Sequence, residues 1–357
     1  MDTKKFRVGV VGLGRMGSTI DEEGHTKLPY SIASAVESSP HFELVAGSDL
    51  IEEKRALFSE RWGVRGVYQD FNEMVAIENL DLVAVCTAAC LPKPIDVSPG
   101  PDDVADSHAY LSIELAALGV PMLYIEKAMA SSMKRADQVL EVVSRNGLCY
   151  NTGVLRRFDN RYAAVRDAVV SGLIGDVRTV VHYAPATLLH GHIHSIDTIS
   201  FLLGDPKVRA VRGELLPRDR KFSGRHIAKD PHAIYQIRFD GDVEGYTVPA
   251  GCWEFEVFGS DGCIRLMNNG EVAVLRRGSG KRQWYEEPFE NVEPKSPVVA
   301  CLEDLAHSKN TGEPTLGNVE LTHHLTEACI AVAESHLNGG IWMDLPLQRR
   351  DLYIFHV

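Results

Sequence analysis

Residues 190–197 read HGHIHSID, which places His190, His192 and His194 at alternate positions with Asp197 shortly after. Three chemistries fit those residue types. On an extended strand, alternate side chains share one side. Three neutral imidazoles there, joined by Asp197 or His182, would suit Zn²⁺, Mn²⁺ or Fe²⁺. A histidine that ionises near neutrality would serve as a general base. The third reading is an exposed polar segment. If a helix starts near residue 192, His194, Asp197 and Phe201 share a face, and Gly191 predicts a loop just before it. Spacing does not choose among these readings, so the surrounding elements must.

A chain of 357 residues predicts two domains. The formal net charge of −12 excludes a general nucleic-acid binder, which needs a basic face. It leaves an anionic ligand open, because local backbone dipoles outweigh net charge. The seven cysteines form no C-x-x-C pair, so reduced and mostly buried thiols are expected rather than a disulfide framework or a structural zinc site. The N-terminus lacks a long apolar core and runs into a glycine motif, so no signal peptide is read. No stretch of about 18 apolar residues suggests a membrane span. A cytoplasmic protein is the expectation.

The first third alternates short apolar runs with helical stretches. FRVGVV (6–11), FELVAGS (42–48), LDLVAVCT (80–87), PMLYIE (121–126) and LCYNTGV (148–154) read as strands apolar on both faces. Two of the intervening helical stretches end at Gly119 and Gly147. This alternation predicts a doubly wound parallel sheet over residues 1–150. Residues 151–357 predict an α+β domain. A helix at 160–172 precedes strands in which Tyr235, Ile237 and Phe239 share one face, and Trp253, Phe255 and Val257 oppose Glu254 and Glu256. Such alternation implies a mainly antiparallel sheet with one wet face. Asp261-Gly262 reads as a turn, and 319–337 as a closing helix with Leu321, Leu325, Ala328 and Val332 inward. His323, His324 and His336 read as partly exposed helix residues rather than ligands. Two stretches look inserted: 21–29, and the proline-rich 90–106, which is either a lid or a surface loop.

VGVVGLGRMG follows the first strand. Gly12 permits a tight turn, Gly14 lets backbone approach a pyrophosphate, and Gly17 lets a helix sit close to the strand. Asp49 ends the second strand, where an acid accepts from ribose hydroxyls and repels a 2′-phosphate, favouring NAD over NADP. The interval from Gly17 to Asp49 exceeds the usual roughly 20 residues, and the 21–29 insertion accounts for most of the excess. In YIEKAMA, Glu126 and Lys127 stand where a parallel strand ends. A lysine there would hold a substrate hydroxyl and stabilise a developing alkoxide, or would be a solvated surface residue.

The order GLGRMG, Asp49, EKAMA, GVLRRFDNRY, HSIDTISFLLGDP and EVFGSDGCIRL resembles the glucose–fructose oxidoreductase / inositol dehydrogenase (Gfo/Idh/MocA) family over nearly the whole chain. The resemblance implies a Rossmann domain and an α+β domain whose open sheet forms a homo-dimer or homo-tetramer. It also implies NAD between them, with a carbohydrate or polyol as substrate. Gly12, Gly14, Arg15, Met16, Gly17, Asp49, Thr87, His108, Glu126 and Lys127 would hold the cofactor. Lys127 and His194 would be catalytic, and Arg156, His182 and Asp197 would face substrate. Two departures stand out: Ala128 replaces the family's proline after the lysine, and His190 replaces an aspartate four residues before the histidine.

On this reading His194 takes the hydroxyl proton while Lys127 steadies the oxygen, and His190 orients His194. His190 brings no negative charge, so His194 should stay neutral to lower pH than beside an aspartate, the two titrating as a pair. Competing classes are an NAD-retaining glycosidase or lyase working by transient sugar oxidation, the metal-assisted variant through His190, His192 and His194, and a non-enzymatic dinucleotide sensor. His190→Asp is expected to move the limb of the pH–rate profile set by the base His194 upward. A limb that stays in place would uncouple His190 from the chemistry.

Overall fold

The computed structural model describes residues 5–24, 26–90, 106–219, 224–278, 283–290 and 292–356. Residues 91–105, most of the proline-rich 90–106 stretch, lie outside this set, so the lid and loop readings are not addressed.

The apolar runs of the first third pair as parallel strands. β1 (Phe6–Val11), β2 (Phe42–Ser48), β3 (Gly66–Tyr68), β4 (Leu82–Val85), β5 (Met122–Ile125) and β6 (Cys149–Thr152) form a six-stranded sheet ordered β3-β2-β1-β4-β5-β6. β4 and β5 are buried along their whole length, as strands covered on both faces must be. Strand order reverses between β1 and β4, the point at which such sheets bind ligands. β3 escapes the sequence pattern because three residues carry no readable period. Helices α1 (Ile32–Ser38), α2 (Glu52–Trp62), α3 (Phe71–Glu78), α4 (Ser107–Ala117) and α5 (Met133–Asn146) separate the strands.

The stretch after the glycine motif is not one continuous helix. A π-turn (Arg15–Thr19) leads into a 3₁₀ turn (Ile20–Glu23), and α1 starts only at Ile32. Asp21 anchors the 21–29 insertion: its carboxylate accepts from the Tyr30 N–H at 2.7 Å and the Ser31 N–H at 3.1 Å. Burial opposes ionisation there, but hydrogen bonds from Ser31, Tyr30 and Ser34 outweigh it and hold Asp21 below the usual carboxylate range.

The second sheet has nine strands ordered β15-β14-β13-β12-β7-β11-β10-β8-β16. They are β7 (Val177–Tyr183), β8 (Val208–Leu216), β10 (His232–Phe239), β11 (Glu244–Val248), β12 (Glu254–Gly259), β13 (Gly262–Met267), β14 (Val272–Arg277), β15 (Tyr285–Glu287) and β16 (Met343–Asp344). Only the β7–β11 pair is parallel. β9 (His226–Ile227) and β17 (Tyr353–Ile354) form a separate small ladder. Helices α6 (Asn160–Val170) and α7 (Ile193–Leu202) pack on one another, and α7 lies on the sheet, with Ile199 against Gly245. Gly213 in β8 leaves room for Val332 of α9 (Val319–Leu337), which a Cβ would approach to 2.6 Å. Two details differ from expectation. Gly262 lies inside β13, so Ser260 and Asp261 make the turn. Glu256, expected on the wet face, is buried beside Arg265 and Tyr183.

Among the described residues, one unit draws on residues 5–155 and Lys295–His323, and the other on Arg156–Pro294 and His324–His356. A single crossing near residue 150 makes no provision for this return of 295–323, which carries helix α8 (Pro297–Thr311). Asn151 of β6 receives it. Its amide donates to the Cys301 carbonyl (3.1 Å) and Asp304 (2.9 Å), and its oxygen accepts from the Gly317 N–H (3.1 Å). The side chain is fully buried, so removing it strands three partners. Asn151→Leu is expected to lower unfolding stability by about 2–3 kcal/mol, read from chemical denaturation.

Candidate functional site

The glycine loop is shaped as dinucleotide binding requires. Gly12 has φ 91°, and a Cβ there would sit 2.7 Å from the backbone of Cys86 and Thr87. A Cβ on Gly17 would lie 2.1 Å from the Gly12 carbonyl oxygen, so only glycine lets this turn close. Gly14 is open apart from Lys54 Nζ, leaving its backbone approachable. The Asp49 carboxylate accepts from the Leu13 N–H at 2.9 Å and the Ile51 N–H at 3.0 Å, with Lys54 Nζ at 3.9 Å. It thereby ties the end of β2 to the glycine loop. Arg15 is exposed and paired with Glu23, and Met16 is half-buried beside it.

Thr87, His108 and the EKAMA turn are joined at the carboxyl end of β4 and β5. The Thr87 hydroxyl is 2.8 Å from that of Ser107. His108 is buried, with its ring nitrogens 2.9 Å from the Ala128 carbonyl oxygen and 3.0 Å from that of Thr87. It therefore bridges the two turns. The Lys127–Ala128 peptide is cis, and Lys127 is half-buried. Glu126 is buried and accepts from the Tyr124 hydroxyl at 2.6 Å. Asp106, which the sequence reading missed, caps α4 and accepts from the Ser131 N–H, so it fixes the far side of the same turn.

The HGHIH segment is neither strand nor loop. Leu188–His192 forms a π-turn that runs directly into α7. Gly191 is there for closeness: a Cβ would lie 2.8 Å from Ala186 Cβ. The three histidines diverge. His192 is fully buried, its Nε2 2.9 Å from the Ala233 carbonyl and its Nδ1 3.0 Å from Ser195 Oγ. Both ring nitrogens are thus used by protein, and burial lowers its pKa to about 4. His190 is exposed and His194 half-buried. The extended arrangement that a three-histidine metal set requires is absent, and among the described residues no three His, Cys, Asp or Glu converge on one point. Asp230, unremarked in the sequence, accepts from the N–H groups of Leu189 (3.0 Å) and His190 (2.8 Å) and so holds the turn.

Arg156 and Arg157 are neighbours with opposite fates. Arg156 is half-buried, its guanidinium 4.6 Å from the Trp253 ring centroid and anchored on Asn269 Oδ1 at 2.6 and 2.9 Å. Arg157 is buried. Its Nε and Nη2 donate to Asp197 Oδ1 at 3.0 and 2.8 Å, and its Nη1 to Asp205 Oδ2 at 2.7 Å. Asp197, expected to face substrate, is therefore the internal partner of Arg157 and is 4% exposed. Burial still pushes its carboxyl up to about 6 against the pull of Arg157. His182 is likewise interior. It is fully buried against Phe255, Trp253 and His192, and burial lowers its pKa to about 2. Substrate contact by His182 would need the ring of Trp253 to move.

The glycine turn, the acid at the end of β2 and the topological switch define a dinucleotide-binding oxidoreductase domain, followed by a sheet unit that carries a histidine and an arginine. Residues 6–154 match the model of the GFO/IDH/MocA oxidoreductase family with its NAD-binding Rossmann fold. It is 24% identical to a myo-inositol 2-dehydrogenase of Thermotoga maritima over 76% of this chain and 78% of the relative. It is also 24% identical to a scyllo-inositol 2-dehydrogenase (NAD(+)) of Bacillus subtilis over 94% and 95%. In fold it is similar to an aldose-aldose oxidoreductase of Caulobacter crescentus complexed with glycerol (TM-score 0.75, 17% identity, 96% of this chain and 100% of the other). It is similar also to a scyllo-inositol dehydrogenase of Lactobacillus casei with NAD(H) and scyllo-inositol (TM-score 0.69, 17% identity, 96% and 99%).

Two consequences follow for stability. An unfolded chain protonates His182 and His192 below the ordinary imidazole value of about 6.5, whereas the folded chain resists to about 2 and about 4. That stability is complete above the ordinary value and is lost as pH falls. Asp197 acts oppositely, because the folded chain takes up its proton first, near 6. The net expectation is a falling melting temperature from about pH 6.5 downward, with a shallower fall in His182→Leu. Arg157→Met leaves Asp197 and Asp205 without their cation and is expected to cost about 3–5 kcal/mol by denaturant titration.

Proposed function

We propose that the chain is an NAD-dependent dehydrogenase that oxidises a secondary hydroxyl of a sugar or cyclitol. The observation that carries this beyond the cofactor is in the second unit. The half-buried His194 (6.4 Å between ring centroids) and Arg156 (4.6 Å) contact one indole, Trp253, while the buried His192, two positions before His194, is locked into the fold. A base and a cation offered together suit a neutral polyol that must lose a proton.

NAD supplies the hydride acceptor, and the residues that suit it are Gly12, Gly14 and Gly17 in the glycine loop and Asp49 at the end of β2, with Thr87, Glu126 and Lys127. The chain's own residues handle the proton. His194 accepts it from the substrate hydroxyl, while Lys127 donates a charge-assisted hydrogen bond to the same oxygen. Arg156 holds a second hydroxyl. His190 acts from outside the pair as an orienting residue, its backbone held by Asp230.

The chain is further proposed to act in the cytoplasm, with self-association through the open face of the nine-stranded sheet. No described helix is long and apolar enough to cross a membrane, which supports a non-membrane setting. Sugars, cyclitols and glycosides supplied with NAD are expected to give NADH absorbance. Lys127→Ala and His194→Ala should each lower turnover at least about a thousand-fold, with NAD affinity nearly unchanged in His194→Ala. Substantial activity in both variants would sink the site assignment. Retained cofactor with product but no NADH would favour the glycosidase or lyase class, and binding without any turnover would favour the sensor.

A further inference from the structure

No sequence motif points to Trp253, yet His182, His194 and Arg156 of the second unit all meet its ring. Its backbone has φ 52°, a region that a bulky side chain rarely occupies. It follows Gly251 (φ 103°), where a Cβ would sit 2.8 Å from Tyr183 Cβ, so the turn folds tightly onto the end of β7 before the indole emerges. The ring lies over the buried His182 at 5.2 Å, inclined at 51°. The Arg156 guanidinium lies over the ring, 4.6 Å from its centroid, and His194 meets it edge-on at 6.4 Å and 90°. Asn269, itself at φ 55°, fixes Arg156 from behind. The indole is only half-buried, and its N–H donates to no partner among the described residues.

A flat apolar surface set against a base and a cation is complementary to a ring polyol. A cyclitol or pyranose with equatorial hydroxyls presents hydroxyls around its rim and C–H bonds on its faces. The exposed part of the indole can cover such a face, while His194, edge-on to the ring, addresses the rim. An open-chain polyol has no comparable face to lay down. Strained backbone that persists at such a point calls for a functional explanation.

Resting on the dehydrogenase reading above, we propose that Trp253 is the specificity-determining platform of the substrate site, stacking on the C–H face of a cyclitol or pyranose and so selecting ring polyols over open-chain ones. The indole touches substrate without moving a proton, and His182 beneath it sets its tilt.

The test compares wild type with Trp253→Phe and Trp253→Asn on two substrates, a cyclitol or aldopyranose that the enzyme turns over and an open-chain hexitol. Asparagine tolerates positive φ, so Trp253→Asn removes the ring while keeping the backbone acceptable. Trp253→Asn is expected to lose about ten-fold or more in kcat/KM for the ring substrate, mostly through KM, and under about three-fold for the hexitol. Trp253→Phe should recover most of the loss, and the KM for NAD should not move. Wild-type tryptophan fluorescence should change on adding ring substrate, and Trp253→Phe should abolish that change. Equal losses on both substrates, or no loss on the ring substrate, overturn the platform and leave the dehydrogenase reading intact. Failure of wild type to oxidise any ring polyol overturns both. Should Trp253→Asn not fold, Trp253→Phe decides: a fluorescence change that persists in it rejects the platform.

Discussion

The second unit depends on a guanidinium placed where charge is costly. Arg157 is 2% exposed, and its burial is tolerable only because Asp197 and Asp205 both accept from it and Phe201 lies under it, 5.1 Å from ring centroid to guanidinium carbon. Burial works against the charge, but the two carboxylates outweigh it and raise the pKa of Arg157 further. Asp197 and Phe201 belong to α7, and Asp205, to which Ser200 also donates, follows its end. One cation therefore fixes the helix that carries His194 to the turn that carries Arg156. The arginine next in sequence is free to turn toward Trp253 because its neighbour has satisfied the interior.

The rest of that interior is polar in an ordered way. His182 and His192 are neutral, and each has a defined neighbour: Thr247 Oγ1 for the first, the Ala233 carbonyl and Ser195 for the second. They behave as aromatic packing residues with hydrogen-bonding corners, which is what a low-dielectric setting makes of an imidazole. The contrast with His194, two positions along, arises from helical geometry. A residue two positions on in a helix points to a different face, whereas on a strand it would point to the same one.

This is also where sequence reading reached its limit. The glycine turn, the β2 carboxylate and the parallel strands were legible because each rests on a local rule: a forbidden Cβ, a strand end, a run of apolar residues. His194 and Arg156 were picked out as candidates by resemblance alone. Asp197 was assigned toward substrate because Arg157, distant in sequence, could not be seen as its partner. Asp230 had no local signal, and Trp253 was legible only as one apolar residue of a strand face. One acts through backbone N–H groups of another segment, and the other through a positive φ that an aromatic residue does not advertise. The three alternating histidines suggested a metal because spacing was read on the geometry of a strand, and the chain chose a π-turn.

The return of residues 295–323 to the first unit has a consequence for how the molecule comes into being. β6 closes the edge of the parallel sheet, but the buried amide of Asn151 and the carbonyl of Tyr150 find their partners only in Cys301, Asp304, Thr315 and Gly317. During synthesis the nucleotide-binding half leaves the ribosome first and must wait for nearly the whole of the other half to follow before its last strand is sealed. The two halves are thus matured together. A chain broken off anywhere before α8 would expose an unfinished edge instead of yielding a free-standing cofactor-binding module.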